Sequence, residues 1–159
     1  MTLLLRDASP SDAKTIYGFI VDLATYEKEP RAVRTTPEIL HTQLESSQCP
    51  FDCTIAEWSG VPCGFALTFP NYSTWRGSAG THLEDLYVDP SFRGLGIGRA
   101  LLRHLAAQTL VRGGQRLEWA VLDWNTPAIR FYQRLGANPM DEWTTWRLTD
   151  DELTKLAES

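Results

Sequence analysis

The segment Glu84–Leu105, EDLYVDPSFRGLGIGRALLRHL, sets an extended apolar run against a glycine-spaced turn and then an apolar-periodic run. Gly94, Gly96 and Gly98 recur at every second position between Arg93 and a helix. Glycine weakens local structure, so its use here points to positive φ and to close approach of the backbone by something else. A helix start carries amides without intrahelical partners and a partial positive charge. The turn therefore reads as an anion cradle formed by Arg93, Gly94, Leu95, Gly96, Ile97, Gly98 and Arg99. Two other cradles are excluded by spacing. A P-loop needs four residues between its glycines and then Lys-Ser/Thr, which is absent. A dinucleotide fingerprint begun at Gly94 meets Arg99 where its third glycine belongs, and one begun at Gly96 meets Leu101.

Working outward, LLLRDA (3–8) reads as a strand, and SPSDAKTIYGFIVDLATYE (9–27) as a helix capped by Ser9 or Ser11. TTPEILHTQLES (35–46) is a short helix with a threonine cap and Pro37 in its first turn. FDCTIAEWSGVPCGFALTFPNY (51–72) gives two strands around Ser59-Gly60, a hairpin signal. THLEDLYVD (81–89) is a strand, and 98–113 a helix with Leu101, Leu102, Leu105 and Ala106 on one face. QRLEWAVLDWN (115–125) is an apolar strand, 126–137 a short helix, MDEWTTWRLT (140–149) a late strand, and 150–159 a polar helix or tail. The order predicts one α/β domain over residues 1–159, with a mixed sheet of six or seven strands.

With 159 residues the chain can bury one sizeable core. A net charge of -5 leaves no excess of basic groups to displace counterions, which argues against nucleic acid as a partner. No run is long enough to cross a membrane, and the first residues lack a signal-like apolar stretch, so a cytoplasmic protein is expected. Cys49, Cys53 and Cys63 read as free thiols used in packing, because no second cysteine pair or histidine pair completes a metal site. His41, His82 and His104 form no catalytic set and read as surface or packing residues.

YVDPSFRGLGIGRALL (87–102) resembles the acetyl-CoA signature of the GNAT N-acetyltransferases, Arg/Gln-x-x-Gly-x-Gly/Ala, at Arg93, Gly96 and Gly98. LDWNTPAIRFYQRLGA (122–137) resembles the second motif of that family, an asparagine followed by a helix with a tyrosine. The resemblance extends through LATYEKE, NYSTWRG, HLEDLYV and AVLDWN, and points to the polyamine and thialysine branch. It implies a mostly antiparallel mixed sheet splayed between strands 4 and 5 and flanked by about four helices. The pantetheine arm of acetyl-CoA would pair with the backbone of Leu86, Tyr87 and Val88, with its pyrophosphate on the amides of Gly94 to Arg99. Asn125, Thr126, Pro127 and Ala128 would border the arm, although Asn125 in its own right also reads as a helix cap. No metal is implied, and a homodimer is.

Acetyl transfer to an amine requires removal of an ammonium proton, stabilisation of an oxyanion and protonation of the departing thiolate. By resemblance, Tyr132 is the donor to sulfur and Glu84 the base, acting through water. Glu84 and Asp85 are adjacent on a strand and are expected to point to opposite faces, so that only one meets a cleft. The substrate set implied by the family is Tyr26, Glu27, Ser73, Thr74, Glu84, Glu118, Trp119 and Ala120. Ser73 and Thr144 stand where polyamine-specific relatives carry acidic residues, which favours a thialysine-like amino acid or short diamine over a long polycation. The alternatives are a protein lysine or N-terminal acetyltransferase, and a non-catalytic acetyl-CoA-binding module.

Overall fold

A computed structural model describes residues 2–159. One strand pair forms across the Ser59-Gly60 hairpin, as its sequence signals. β1 (Leu3–Asp7) pairs with β2 (Asp52–Trp58), β2 with β3 (Val61–Ser73), and β3 with β4 (Ser78–Val88), each antiparallel. β5 (Leu117–Trp119) joins β4 in parallel, giving one sheet in the order β1-β2-β3-β4-β5. The helices are α1 (Ala13–Tyr26), α2 (Pro37–Glu45), α3 (Ile97–Val111), α4 (Thr126–Arg134) and α5 (Asp150–Ala157).

The chain forms two compact units, Met1–Ala120 and Val121–Ser159. In the first, α1 and α2 cover one face of the sheet. Ala13, Ile16 and Phe19 of α1 and Leu40 of α2 pack with Ile55, Phe65 and Tyr87 from the strands. Burying side chains of this size stabilises by about 1.5–3 kcal/mol each. The start of α1 is pinned electrostatically: Arg6 on β1 donates to both carboxylate oxygens of Asp12 at 2.8 Å and to Glu57 at 2.8 Å. That guanidinium holds the Asp12 carboxyl well below the usual carboxylate range. α3 covers the other face with Ile97, Leu101, Leu102 and Leu105 buried. There the hydroxyls of Thr81 and Thr109 meet at 2.7 Å. Cys53 and Cys63 are buried free thiols. No helix of the described residues is long and apolar enough to cross a membrane.

Three expectations are corrected. Among the described residues the sheet has five strands rather than six or seven, and there are five α-helices rather than about four. The apolar run 115–125 contributes only Leu117–Trp119 as strand, since its pairing with β4 stops at Leu83↔Trp119. Residues 140–149 are not a strand, and Trp143 and Trp146 there are 66% and 91% exposed. A β-prone composition makes a strand only where an edge is available to pair with, and that requirement is tertiary.

Candidate active site

Gly94 and Gly96 have φ of 82° and 79°, in the left-handed region, and a Cβ at either would touch nothing within 4 Å. Backbone conformation, not crowding, is what demands glycine at these two positions. Gly96 is the N-cap of α3 and no side chain caps that helix. The amides of Ile97, Gly98 and Arg99 form its first turn, where no preceding turn can supply carbonyl acceptors. Ile97 points its side chain into the core, 2% exposed, while Leu95 and Arg99 lie at the surface. The turn so built presents a row of donors and a positive helix end to an anion.

β4 changes character just before this turn. Leu83 and Asp85 lie opposite Thr68 and Leu67, two consecutive residues of β3, so Glu84 is an extra residue on β4, a β-bulge. Pairing with β5 covers only Thr81, His82 and Leu83. Glu84 to Val88 therefore run past the end of β5, with Asp85 to Val88 paired to β3 on one side. The Val88 carbonyl accepts from Arg93 Nε at 2.9 Å, and the Arg93 guanidinium lies 5.6 Å from the centre of the Tyr26 ring. Arg93 thus bridges the end of α1, the edge of β4 and the glycine turn.

The bulge also overturns the expectation for the acidic pair. Asp85 is in register with Leu67, on the α1 side of the sheet, where Phe65 and Tyr87 also lie. Glu84 Oε2 is 3.6 Å from His82 Nε2, and the His82 ring stacks on Phe69, 4.8 Å between centres, on that same side. An inserted residue breaks the strict alternation of a strand, so both carboxyl groups come to one face. Burial, then the neighbouring charges of Glu84 and Glu27, push the Asp85 carboxyl up to about 6. Burial also raises Glu27, the C-cap of α1. Three carboxyl groups from two elements thus share one region. Resemblance named Glu27 and Glu84 as site residues, and strict alternation set Asp85 aside; the signal that brings it in, a bulge beside a second acid, depends on register.

The other substrate candidates divide. Glu118 lies opposite His82 across the β4–β5 pair, accepts from Asn71 Nδ2 at 2.6 Å and pairs with Arg116 Nε at 3.2 Å. Its charge is thus already compensated. Trp119 is half-buried at the end of β5, and Ala120 lies just past it. Ser73 pairs with Ser78 at the hairpin end, and its Oγ accepts from the Arg76 amide. Ser73 and the exposed Thr74 are about 20 Å of strand away from Glu84.

The second unit carries the remaining candidates. Asn125 is 8% exposed and is the N-cap of α4, its Oδ1 accepting from the Ala128 amide at 3.3 Å. Thr126 and Pro127 make the first turn, where proline costs no hydrogen bond. Tyr132 lies half-buried within α4, its ring 5.3 Å from that of Phe131. Among the described residues, no three His, Cys, Asp or Glu side chains are grouped so as to hold a metal ion.

A mixed sheet with a bulged fourth strand running into a glycine turn and helix defines a class of enzymes that acylate amines. The chain belongs to the acetyltransferase (GNAT) family, whose profile matches residues 16–137. It is 33% identical to a thialysine N-epsilon-acetyltransferase of Bos taurus, over 98% of this chain and 97% of that protein. It is 36% identical to the Caenorhabditis elegans protein of the same name, over 94% of each. An integron cassette protein from the mobile metagenome of V. cholerae superimposes with a TM-score of 0.83 at 26% identity, over 100% of this chain and 99% of that one. The protein is a GNAT N-acetyltransferase, in agreement with the resemblance of its two motifs.

Proposed function

We propose that the protein transfers an acetyl group from acetyl-CoA to the primary amine of a small substrate, a thialysine-like amino acid or short diamine, by direct attack in a ternary complex. The observation that carries this reading is the convergence of Glu84, Asp85 and Glu27 on one side of a bulged strand. Such a cluster suits an ammonium group and can take its proton. Compensation of Glu118 by Arg116 leaves the cluster short and argues for a small cation over a long polyamine.

Bound acetyl-CoA would supply an activated acetyl thioester. The residues present fit it: Gly94 and Gly96 bend the backbone as a diphosphate requires, and the uncapped start of α3 offers amides from Ile97 to Arg99. Leu86, Tyr87 and Val88 lie on the stretch of β4 beyond β5, where the amides of the arm can add as a strand would. Arg93 already holds the Val88 carbonyl, so the arm must share or displace that bond. Glu84 accepts the proton of the ammonium, and Tyr132 Oη is the proton donor for the departing sulfur. Asn125, in addition to capping α4, borders the arm together with Thr126, Pro127 and Ala128.

The reading takes residues 1–159 as one N-acetyltransferase domain, cytoplasmic and homodimeric; sedimentation checks the last point. Its main test is an acceptor panel with acetyl-CoA, reading thiol release. Thialysine, lysine-like and short diamine acceptors should turn over, and peptides should not. Tyr132→Phe should lower turnover about a hundredfold or more while calorimetric coenzyme binding persists. A Tyr132→Phe protein as active as the parent would remove Tyr132 from its role, and peptide acceptors outpacing free amines would favour a protein acetyltransferase.

A further inference from the structure

We infer that His82 is the proton-relay partner of Glu84, taking from its carboxyl the proton removed from the amine and passing it to solvent. The inference rests on the reading of Glu84 as base. Its observations are geometric. His82 Nε2 lies 3.6 Å from Glu84 Oε2, longer than a hydrogen bond but closed by a small side-chain rotation. The imidazole is stacked on Phe69 at 27° between ring planes and its side chain is 27% exposed, so the ring keeps contact with water while the more exposed Glu84 carboxylate turns to it. His82 lies on the Ser78 side of Glu84, and the glycine turn on the Val88 side. A proton leaving through His82 therefore moves away from the end of β4 where the coenzyme is proposed to sit.

The charged surroundings leave the imidazole to Glu84. From β3 it faces Phe69, with Asn71 one place further along that face. From β5 it faces Glu118, whose oxygens are engaged by Asn71 and Arg116. Asp85 lies beyond Glu84 on β4, with Glu27 of α1 beside it. In the step, an ammonium N–H breaks and an O–H forms on Glu84. That O–H then breaks as an N–H forms at His82 Nε2, giving an imidazolium. The imidazolium releases one proton to water, and both groups return to their starting charge. Imidazole is the side chain whose ordinary charge change falls nearest neutral pH, which suits it to both halves of the exchange.

The test is His82→Gln, assayed with acetyl-CoA and the best acceptor of the panel. Its kcat at pH 7 should fall about tenfold, with KM for acetyl-CoA within about twofold of the parent. Added imidazole should restore the rate of the variant and leave the parent unchanged. An unaltered kcat and pH profile in His82→Gln overturns the relay, as does a loss confined to KM. A second arm needs no turnover: the His82 ring signals are recorded by NMR at one fixed pH in the parent and in Glu84→Gln. They should move in the variant, because the ring loses a carboxylate neighbour 3.6 Å away; unmoved signals overturn the pairing. A parent protein that acetylates no amine defeats the functional reading and the relay with it. An active parent beside an indifferent His82→Gln defeats the relay alone.

Discussion

From Ser78 to Leu83, β4 lies between β3 and, over its last three residues, β5; past the inserted Glu84, from Asp85 to Val88, it is paired with β3 alone. The first stretch holds closed polar contacts, such as the Thr81–Thr109 hydroxyl pair and the Thr81 amide donating to the Arg116 carbonyl at 2.8 Å. The second follows an exposed glutamate and holds a carboxyl pushed up to about 6 and a carbonyl borrowed by Arg93. One strand thus serves as scaffold and then as site, and the boundary is a single inserted residue. Free strand edges are usually covered or charged to prevent stray pairing. Here the open stretch is short and acidic at its start, and it leads directly into the glycine turn.

The contrast can be broken most severely at Gly64, opposite Val88. A Cβ there would lie 2.5 Å from the Tyr87 carbonyl oxygen, a backbone atom that cannot step aside. Gly64→Val should destabilise by more than about 3 kcal/mol, read as a fall in urea midpoint, and should disorder the open half of β4 first. Next comes Glu84→Gln, which removes the proposed base at the boundary. A fall in kcat of about a hundredfold with an unchanged urea midpoint is expected.

Asp85→Asn sharpens the contrast through pH. The folded carboxyl titrates near 6, against 3.8 as its ordinary value, so the native state holds this proton more tightly than the unfolded chain does. Its contribution is fully present below about 4 and is lost as pH rises through 6, a loss on the order of 2–3 kcal/mol. Asp85→Asn should therefore raise the urea midpoint at pH 8 and leave it nearly unchanged at pH 4. The smallest effect belongs to the closed half. Thr81→Val removes one hydroxyl, and Thr109 Oγ1 keeps its bond to the Leu105 carbonyl at 2.8 Å. The cost should be about 1 kcal/mol, with kcat unaltered.

What could be read in advance divides along physical lines. The glycine turn, the α3 apolar face, the Ser59-Gly60 hairpin and the Asn125 cap rest on interactions within a few residues, and each stands where its sequence places it. The bulge was not legible. Nothing in Leu83-Glu84-Asp85 announces it, because an extra residue exists only relative to Thr68 and Leu67 on another strand. The same holds for the late segment 140–149, whose tryptophans promised a strand but whose pairing depends on a distant edge. Tyr26 and Glu27 were placed by resemblance, and only the structure set Arg93 over the Tyr26 ring.

The arrangement at Glu84 makes this residue dispensable to the strand pairing, although it is the proposed base of the reaction. If it were excised, Leu83 and Asp85 would become neighbours facing Thr68 and Leu67, with every other cross-strand partnership of β4 intact. The shortened chain would gain an unbroken ladder, lose its kink and keep its core. With its proposed base on a spare link of this kind, the enzyme would hold its folding and its catalysis on separate terms, one residue apart.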